Sequence, residues 1–236
     1  SLPSLRLEKK GLTTNMQAKI LRIQQVYSDL KIFTIEPQKV FKHKAGQYLM
    51  VFAQGYEPRP YSIASAPNDD NTIELHIRAY GGLSSFLCDT LNEGDMIDIE
   101  GPLGSCTYKA QCKKPILALA GGTGLAPMKA IIEKALSTKR DNPVYLYHGA
   151  KDKDQLYLNN TLTQWAQDDP RLVYRPVVSH TQDSDIPYGF LNEHIAQDFE
   201  SLKDVRCYMS GPPEMLASLR DLVLEKKIDE KRIHFD

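Results

Sequence analysis

The chain has 236 residues, of which 42% are hydrophobic and 25% charged, and its formal net charge is −1. This composition is typical of a globular protein of one or two domains, and the near-neutral charge argues against a nucleic-acid-binding surface spread over the whole protein. No apolar run approaches the roughly 18 residues that a membrane span needs, so we expect no such span. No secretory signal is visible either.

The first half of the chain has the pattern of short strands and turns. Apolar and polar residues alternate clearly in TIELHIRAY (72–80), which is typical of a half-buried strand. A short helix is predicted at 84–91. Six or so strands are predicted on such patterns, among them those at 17–27, 30–36, 47–53, 72–80 and 96–104. Closely spaced short strands of this kind predict a small antiparallel β-barrel.

The second half changes to an alternation of strands and helices. Strands are predicted at 115–120, 143–150, 171–178 and 204–211, and helices at 126–137, 158–167, 190–199 and 212–227. This order indicates βαβ units and a parallel sheet covered on both faces. We therefore predict a two-domain protein in which an antiparallel β-barrel, residues 17–110, precedes an α/β parallel-sheet nucleotide-binding domain, residues 111–236. Residues 1–16 have the composition of a linker or N-terminal extension.

Glycine-rich turns follow two of the predicted parallel strands. GGTGLAP (121–127) follows the first strand and SGPPEM (210–215) the fourth, and each enters a helix. Glycine lets backbone N–H groups approach a phosphate, and the helix N-terminus favours a negative charge. The first turn is not the GxGxxG dinucleotide fingerprint, because Pro127 stands at the third glycine position. Two such turns at neighbouring strand ends indicate a nucleotide cleft.

The cysteines and histidines give no sign of a metal site. The four cysteines are widely spaced at Cys88, Cys106, Cys112 and Cys207, without a CxxC pair or the spacing of a plant-type iron–sulfur cluster. We interpret them as reduced thiols of a cytoplasmic protein. The six histidines show no ligand spacing, so we expect no metal on this chain.

Three segments stand in a fixed order: RPYSIAS (59–65), AGGTGLAPM (120–128) and SGPPEM (210–215). Together, on a barrel followed by a parallel sheet, they resemble the ferredoxin–NADP⁺ reductase superfamily. The resemblance covers residues 17–236 and is closest to the reductase components of bacterial oxygenases and to small NAD(P)H–flavin reductases.

The resemblance implies an FAD site in the first domain. It implies that Arg59 pairs with the pyrophosphate, that Tyr61 lies against the isoalloxazine ring and that Ser62 hydrogen-bonds near flavin N5. Pro60, between Arg59 and Tyr61 in the sequence, is assigned to the same site. A guanidinium is a good bidentate phosphate clamp. In RAYGGLSSFL (78–87), the resemblance implies that backbone N–H groups contact the pyrophosphate, which favours FAD as a bound group. The remaining residues assigned to this site are His76, Arg78, Gly82, Leu83 and Ser84.

The resemblance also implies a nicotinamide-dinucleotide site in the second domain. Lys151 stands where the family has Arg, and Ser210 where many relatives have a cysteine beside the nicotinamide. Phe235 resembles the C-terminal aromatic region that screens the flavin. The other residues assigned to this site are Gly122, Thr123, Gly124, Pro127, Gly149, Gly211, Pro212 and Met215. The residues expected to take part in the chemistry are Ser62, Tyr61 and Ser210.

These assignments imply that hydride passes from NADH or NADPH to FAD, and single electrons then pass to an iron–sulfur protein or oxygenase partner. That partner is a ferredoxin domain removed from the N-terminus or a separate protein. NADH is slightly favoured by the likeness to oxygenase reductases. Two alternatives remain: a flavin reductase that releases free reduced flavin, and a non-catalytic FAD-binding regulatory subunit.

Overall fold

The computed structural model describes residues 14–183 and 185–236. Most of the predicted N-terminal extension, residues 1–13, therefore lies outside the described residues. Thr14, Asn15 and Met16 belong to the first strand, which begins three residues earlier than predicted because they pair with Gly101, Glu100 and Ile99.

Six antiparallel strands form a nearly closed barrel. They are β1 (Thr14–Tyr27), β2 (Leu30–Pro37), β3 (Tyr48–Phe52), β4 (Arg59–Ser62), β5 (Ile73–Arg78) and β6 (Met96–Leu103), in the order β4-β3-β6-β1-β2-β5. A bridge between Ile63 and Leu75 and a bond from the Ala64 N–H to the Glu74 carbonyl join the two ends of the sheet. Helix α1 (Gly82–Thr90) follows β5.

The alternation predicted for β5 explains the barrel interior. Ile73, Leu75 and Ile77 are buried in one apolar cluster with Phe33, Leu49 and other inward residues of the barrel. Burial of such side chains contributes roughly 1.5–3 kcal/mol each, so one face of β1, β2, β3, β5 and β6 is fixed toward this core.

The second domain is a five-stranded parallel sheet with a helix layer on each face. Its elements are β7 (Ile116–Gly121), α2 (Leu125–Leu136), β8 (Val144–Ala150), α3 (Asn159–Asp168), β9 (Leu172–Val178), α4 (Leu191–Asp198), β10 (Arg206–Ser210), α5 (Pro213–Glu225) and β11 (Ile233–Phe235). Along β7, Ala118 and Ala120 pack in the cluster of α2 and α3, whereas Leu117 and Leu119 pack in that of α4 and α5. A strand buried on both faces reads as a continuous apolar run, as β7 does.

The strand order of this sheet, β11-β10-β7-β8-β9, reverses between β7 and β10. In open parallel sheets the crevice beyond the carboxyl ends of the strands at such a reversal is where ligands bind. The two glycine turns follow these two strands. The predicted fold class is confirmed: an antiparallel barrel precedes an α/β domain with a parallel sheet.

Two strands, β4 and β11, were not among the predicted strands. Both are short, and β4 contains a proline, which cannot donate to a sheet ladder. Their extended conformation comes from pairing with distant segments, β4 with β3 and β11 with β10.

Candidate functional site

The β4 strand, which we call the RPYS strand (Arg59–Ser62), borders with residues 60–62 a cavity of about 420 Å³ between the barrel and the parallel sheet, whereas Arg59 lies outside the lining. We call this the central cavity. The cavity is also lined by the first glycine turn, residues 121–124, and the second glycine turn, residues 210–212. The lining therefore brings together Pro60, Tyr61, Ser62, His76, Arg78, Gly122, Thr123, Gly124, Ser210, Gly211 and Pro212 of the predicted site.

A second cavity of about 620 Å³, the outer groove, continues from the central cavity along the parallel sheet. The two cavities share Arg78, Gly121, Gly122 and Pro212 as lining residues, so they adjoin at the first glycine turn. The outer groove also brings together Gly149, Lys151 and Met215 of the predicted site. One molecule long enough to extend from the barrel face to the ends of β8 and β9 would occupy both.

The RPYS strand carries two polar groups that nothing in the described part of the chain satisfies. The hydroxyl of Tyr61 is buried without a hydrogen-bond partner there. Its pKa is raised, first by burial and then by the nearby Tyr80, so it stays a neutral donor. Arg59 is exposed, and no ion pair holds its guanidinium among residues 14–183 and 185–236. Buried polar groups in proteins are normally hydrogen-bonded, so the Tyr61 hydroxyl is free to bond a ligand in the central cavity.

Ser62 contacts the far end of the chain. Its hydroxyl donates a hydrogen bond to the Asp236 carboxylate, and the Asp236 N–H donates to the Met209 carbonyl beside the second glycine turn. Sequence reasoning assigned Ser62 but not Asp236, and no local pattern pointed to a residue so far away. Phe235, which the sequence assigned, is 42% exposed on β11 and does not line the central cavity.

The start of helix α1 carries a set of backbone donors next to Tyr80, which lines the central cavity, whereas Gly82, Leu83 and Ser84 line neither cavity. Gly81 and Gly82 have φ values of +105° and +55°, which favour glycine, and no side chain caps the helix. The Ser84 hydroxyl accepts a bond from the Tyr80 N–H and donates to the Gly81 carbonyl, so it holds the turn. Leu83 is buried in the barrel core. The first-turn N–H groups of a helix have no intrahelical partner and favour an anion.

The two glycine turns approach each other too closely for larger residues. A Cβ atom on Gly124 would lie 2.2 Å from the Ser210 carbonyl oxygen, and one on Gly121 would lie 2.6 Å from the Met215 sulfur. Gly122 has φ +54° and open space around it. Pro127 is buried in the first turn of α2, away from both cavities. Backbone therefore forms the wall of the cavity at this point.

Two buried histidines lie beside the central cavity, and His76 is one of its lining residues. His148 donates from Nε2 to the Gly122 carbonyl at 3.1 Å, while burial lowers its pKa to about 4. His76 lies between the Glu74 carboxylate and the Tyr157 hydroxyl, each 2.7 Å away, and burial lowers its pKa as well. His76 therefore supports the cavity wall with its side chain engaged on both sides. Tyr157 and His148 were not found from the sequence.

The described residues contain no group of three or more His, Cys, Asp or Glu side chains placed to hold a metal ion. The four cysteines are free thiols. Burial raises the pKa of Cys88 to about 11 and that of Cys106 to about 12, so both stay protonated. Over the same residues, no helix combines the length and the apolar character needed to cross a bilayer.

Comparisons with known proteins agree with this geometry. The family of oxidoreductase FAD-binding domains matches residues 17–108, and that of oxidoreductase NAD-binding domains matches residues 118–221. A barrel and a parallel sheet with these two matches define a flavin- and nicotinamide-binding oxidoreductase.

Two curated relatives and one solved structure extend the comparison. The NAD(P)H-flavin reductase of Vibrio harveyi is 31% identical over 94% of this chain and 97% of its own length. The ferredoxin–NAD(P)(+) reductase component of the naphthalene 1,2-dioxygenase system of Pseudomonas putida is 30% identical over 92% and 67%. The structure of an Amycolatopsis cytochrome P450 reductase has a TM-score of 0.89 at 27% identity, covering 94% of this chain and 69% of that one. The chain belongs to the ferredoxin reductase family, as the three segments predicted.

Proposed function

We propose that this chain holds FAD as a bound group, accepts hydride from NAD(P)H, preferentially NADH, and delivers single electrons to an iron–sulfur protein or oxygenase partner. The observation that carries the proposal is the central cavity, because residues 60–62 of the RPYS strand and both glycine turns line it together. The proposal includes the division into a barrel domain, 17–110, and a nucleotide domain, 111–236.

Bound FAD would supply a two-electron acceptor that can also release electrons singly. The chain's own residues bind and orient. Arg59 and the first turn of α1 would hold the pyrophosphate, and the orphan Tyr61 hydroxyl would gain a partner from the cofactor. Ser62, oriented by Asp236, would lie at the reacting edge of the flavin. On the other wall, Ser210 and the first glycine turn would hold the nicotinamide, and closure of the cavity would exclude water.

Retention of FAD is supported by the helix α1 turn. Gly81 and Gly82 adopt the backbone that only glycine takes without strain, and the Ser84 and Ser85 hydroxyls accept bonds from the Tyr80 and Gly81 N–H groups. The turn is therefore preorganised, and preorganised donors bind an anion at a smaller entropic cost. A loosely held flavin substrate would not need such a turn.

A second candidate function is reduction of free flavin. The chain spans 97% of the length of the Vibrio harveyi flavin reductase, but only 59–67% of four oxygenase-type relatives. The visible spectrum of the purified chain after desalting separates the two functions. Flavin bands that bleach when NADH is added without oxygen support bound FAD. A colourless protein that oxidises NADH only with added flavin supports the second candidate.

The preference for NADH is supported by the likeness to oxygenase reductase components, and the cations of the outer groove provide a test of it. NADPH needs positive charge for its 2′-phosphate. Lys151 lines the groove, whereas Lys153 is 3.2 Å from the Asp183 carboxylate and does not line it. We expect kcat/KM for NADH to exceed that for NADPH, and Lys151→Ala to lower only the NADPH value. A higher kcat/KM for NADPH would contradict this preference.

A non-catalytic subunit is the remaining alternative, and steady-state NADH oxidation with ferricyanide as acceptor tests it. Turnover excludes it, whereas bound FAD that NADH fails to reduce supports it. A partner of the oxygenase type is supported by the relatives described as reductase components of dioxygenase systems. We also propose a cytoplasmic location, in which the four free cysteines would stay reduced.

A further inference from the structure

Four charged or ionisable side chains meet between the barrel and the parallel-sheet domain. Glu74 and His76 come from β5, and Lys129 and Glu133 come from α2. The His76 side chain is fully buried and that of Lys129 is only 7% exposed. Burying an ammonium is costly unless it is paired. Here Lys129 donates to Glu133 of the same helix at 2.5 Å and lies 3.3 Å from Glu74 of the barrel, so its second pairing, with Glu74, requires that the two domains stay together.

The same helix also holds the backbone just after the RPYS strand. Lys129 donates to the Ala64 carbonyl at 3.2 Å, and the Ala66 N–H donates to the second Glu133 oxygen at 3.0 Å. Helix α2 begins directly after the first glycine turn. The segment leaving one wall of the central cavity is therefore bonded to the helix that carries the other wall.

A second connection runs through His76. Burial would raise the pKa of Glu74, but its hydrogen bond with His76 and the charge of Lys129 outweigh burial and lower it, so Glu74 stays an acceptor. His76 Nε2 therefore carries the proton, and the Tyr157 hydroxyl donates to Nδ1. The Tyr157 ring packs edge-on against His148, which donates to the Gly122 carbonyl. Barrel strand β5 is thus linked to the first glycine turn.

We propose that Glu74, His76, Lys129, Glu133 and Tyr157 form an interdomain clamp that fixes the distance between flavin and nicotinamide during hydride transfer. The inference rests on the proposed function and adds positioning residues to it. They act through the RPYS strand and the glycine turn, which border the cavity. Near-attack geometry is sensitive to displacements of about 1 Å, which can cost roughly a hundredfold in rate.

Tyr157→Phe is the first test, because it removes one hydroxyl and keeps the ring. We expect the rate constant of anaerobic flavin reduction to fall about three- to tenfold, with the Kd values for FAD and NADH within twofold of wild type. The long-wavelength charge-transfer absorbance of the nicotinamide–flavin complex should weaken, because it depends on stacking. Glu133→Gln, which removes the charge and keeps an acceptor for Ala66, should act in the same direction.

Tyr174→Phe is the matched control. Its hydroxyl donates to Asn159 at 2.8 Å within the second domain, and it is nearly as buried as Tyr157. We expect this variant to reduce flavin at the wild-type rate. The clamp is overturned if Tyr157→Phe keeps both its rate constant and its charge-transfer band, or if Tyr174→Phe loses as much as Tyr157→Phe.

Hydrogen exchange separates failure of the clamp from failure of the proposed function. Amides in segments 63–66 and 122–126 should exchange about tenfold faster in Tyr157→Phe than in wild type, whereas barrel amides near Phe33 should be unchanged. This readout needs no turnover. A wild-type protein that fails to reduce flavin would defeat the proposed function alone, whereas unchanged exchange in both segments would defeat the clamp.

Discussion

Arg59 and Tyr61 stand on the RPYS strand with a free guanidinium and an orphan hydroxyl, as far as the described residues go. A charge-assisted bond to a phosphate contributes roughly 1.5–3 kcal/mol, whereas an exposed cation without a partner contributes little to stability. Arg59 and Tyr61 are therefore better suited to binding a ligand than to stabilising the fold.

Arg59→Ala is expected to weaken FAD binding by about tenfold to a hundredfold, because the pyrophosphate would lose its bidentate partner. The unfolding temperature of the protein without FAD should stay unchanged. Fluorescence titration of FAD gives the Kd. Arg22→Ala, which removes another exposed arginine of the barrel, is the control, and equal weakening by both variants would argue against a specific role for Arg59.

His148 makes the stability of the protein sensitive to acid. Burial lowers its pKa from 6.5 to about 4, so between these pH values the unfolded chain binds more protons at this site than the folded one. The free energy of unfolding therefore falls as the pH falls from 6.5 to 4, by up to about 3 kcal/mol for this site. Other buried groups with lowered pKa values, such as His76, add to the slope.

His148→Gln should flatten this dependence, because glutamine keeps an N–H donor for the Gly122 carbonyl but does not titrate. Urea unfolding at pH 7, 6, 5 and 4.5 measures the slope for both proteins. His194→Gln provides the comparison, since His194 is more exposed and bonds the Tyr188 carbonyl. A slope as steep in His148→Gln as in wild type would contradict the assignment.

Several important side chains could not be found from the sequence. Lys129 and Glu133 are four residues apart on a helix, a spacing typical of a solvent-exposed ion pair. They are largely buried only because the barrel packs on this face of α2. Asp236 likewise reaches Ser62 over a separation of 174 positions. Such pairings depend on tertiary contacts that local patterns do not encode.

At the scale of elements, the glycine turns are the most constrained parts of the site. Gly124 has no room for a side chain, because the Ser210 carbonyl lies where its Cβ would stand. Gly122 has room but a left-handed backbone, so alanine there costs about 1–2 kcal/mol. The two glycines are thus required for different physical reasons, one for space and one for conformation.

Gly124→Ala should lower the unfolding temperature more than Gly122→Ala. At position 124 the two glycine turns must move apart to make room for the added methyl group. Gly122→Ala should weaken NADH binding as well, since its methyl group would border both cavities. Gly94→Ala is the control: Gly94 also has a left-handed φ, +95°, with open space, and lies outside both cavities. If Gly94→Ala weakened NADH binding equally, the effect could not be local to the first glycine turn.

Most elements were predictable because their patterns are local. Alternation in TIELHIRAY gave β5, and the apolar run PILALA gave β7 with both faces buried, as observed. The Pro212-Pro213 pair marked the start of α5 correctly. The closure of the barrel between Ile63 and Leu75 was not visible, because it depends on the pairing of segments separated by a loop and not on either segment alone.

At the scale of the whole molecule, the cavity between the domains couples ligand binding to stability. A ligand that binds only the folded state stabilises it by about 2.7 kcal/mol at a concentration of 100 times Kd. For a chain of this size that is a rise of roughly 5–10 °C in the unfolding temperature.

We expect FAD to give this rise, FMN a smaller one and riboflavin the least, because the pyrophosphate contacts of Arg59 and α1 are lost stepwise. Differential scanning fluorimetry with equal concentrations of the three compounds tests the order. An equal response to FAD and riboflavin would mean that only the isoalloxazine is held, as expected of a flavin substrate.

The chain contains a single tryptophan, Trp165, and Lys129 of the interdomain clamp lies 5.5 Å from its ring centroid. Indole emission responds to a nearby ammonium and to hydration. The emission of Trp165 therefore reports on the contact between the two domains without any label. An emission maximum that shifts when nucleotide is added would reveal, in real time, that the two domains move relative to each other. A constant emission maximum during turnover would indicate that the two domains keep a fixed arrangement and that substrates bind in a preformed cavity.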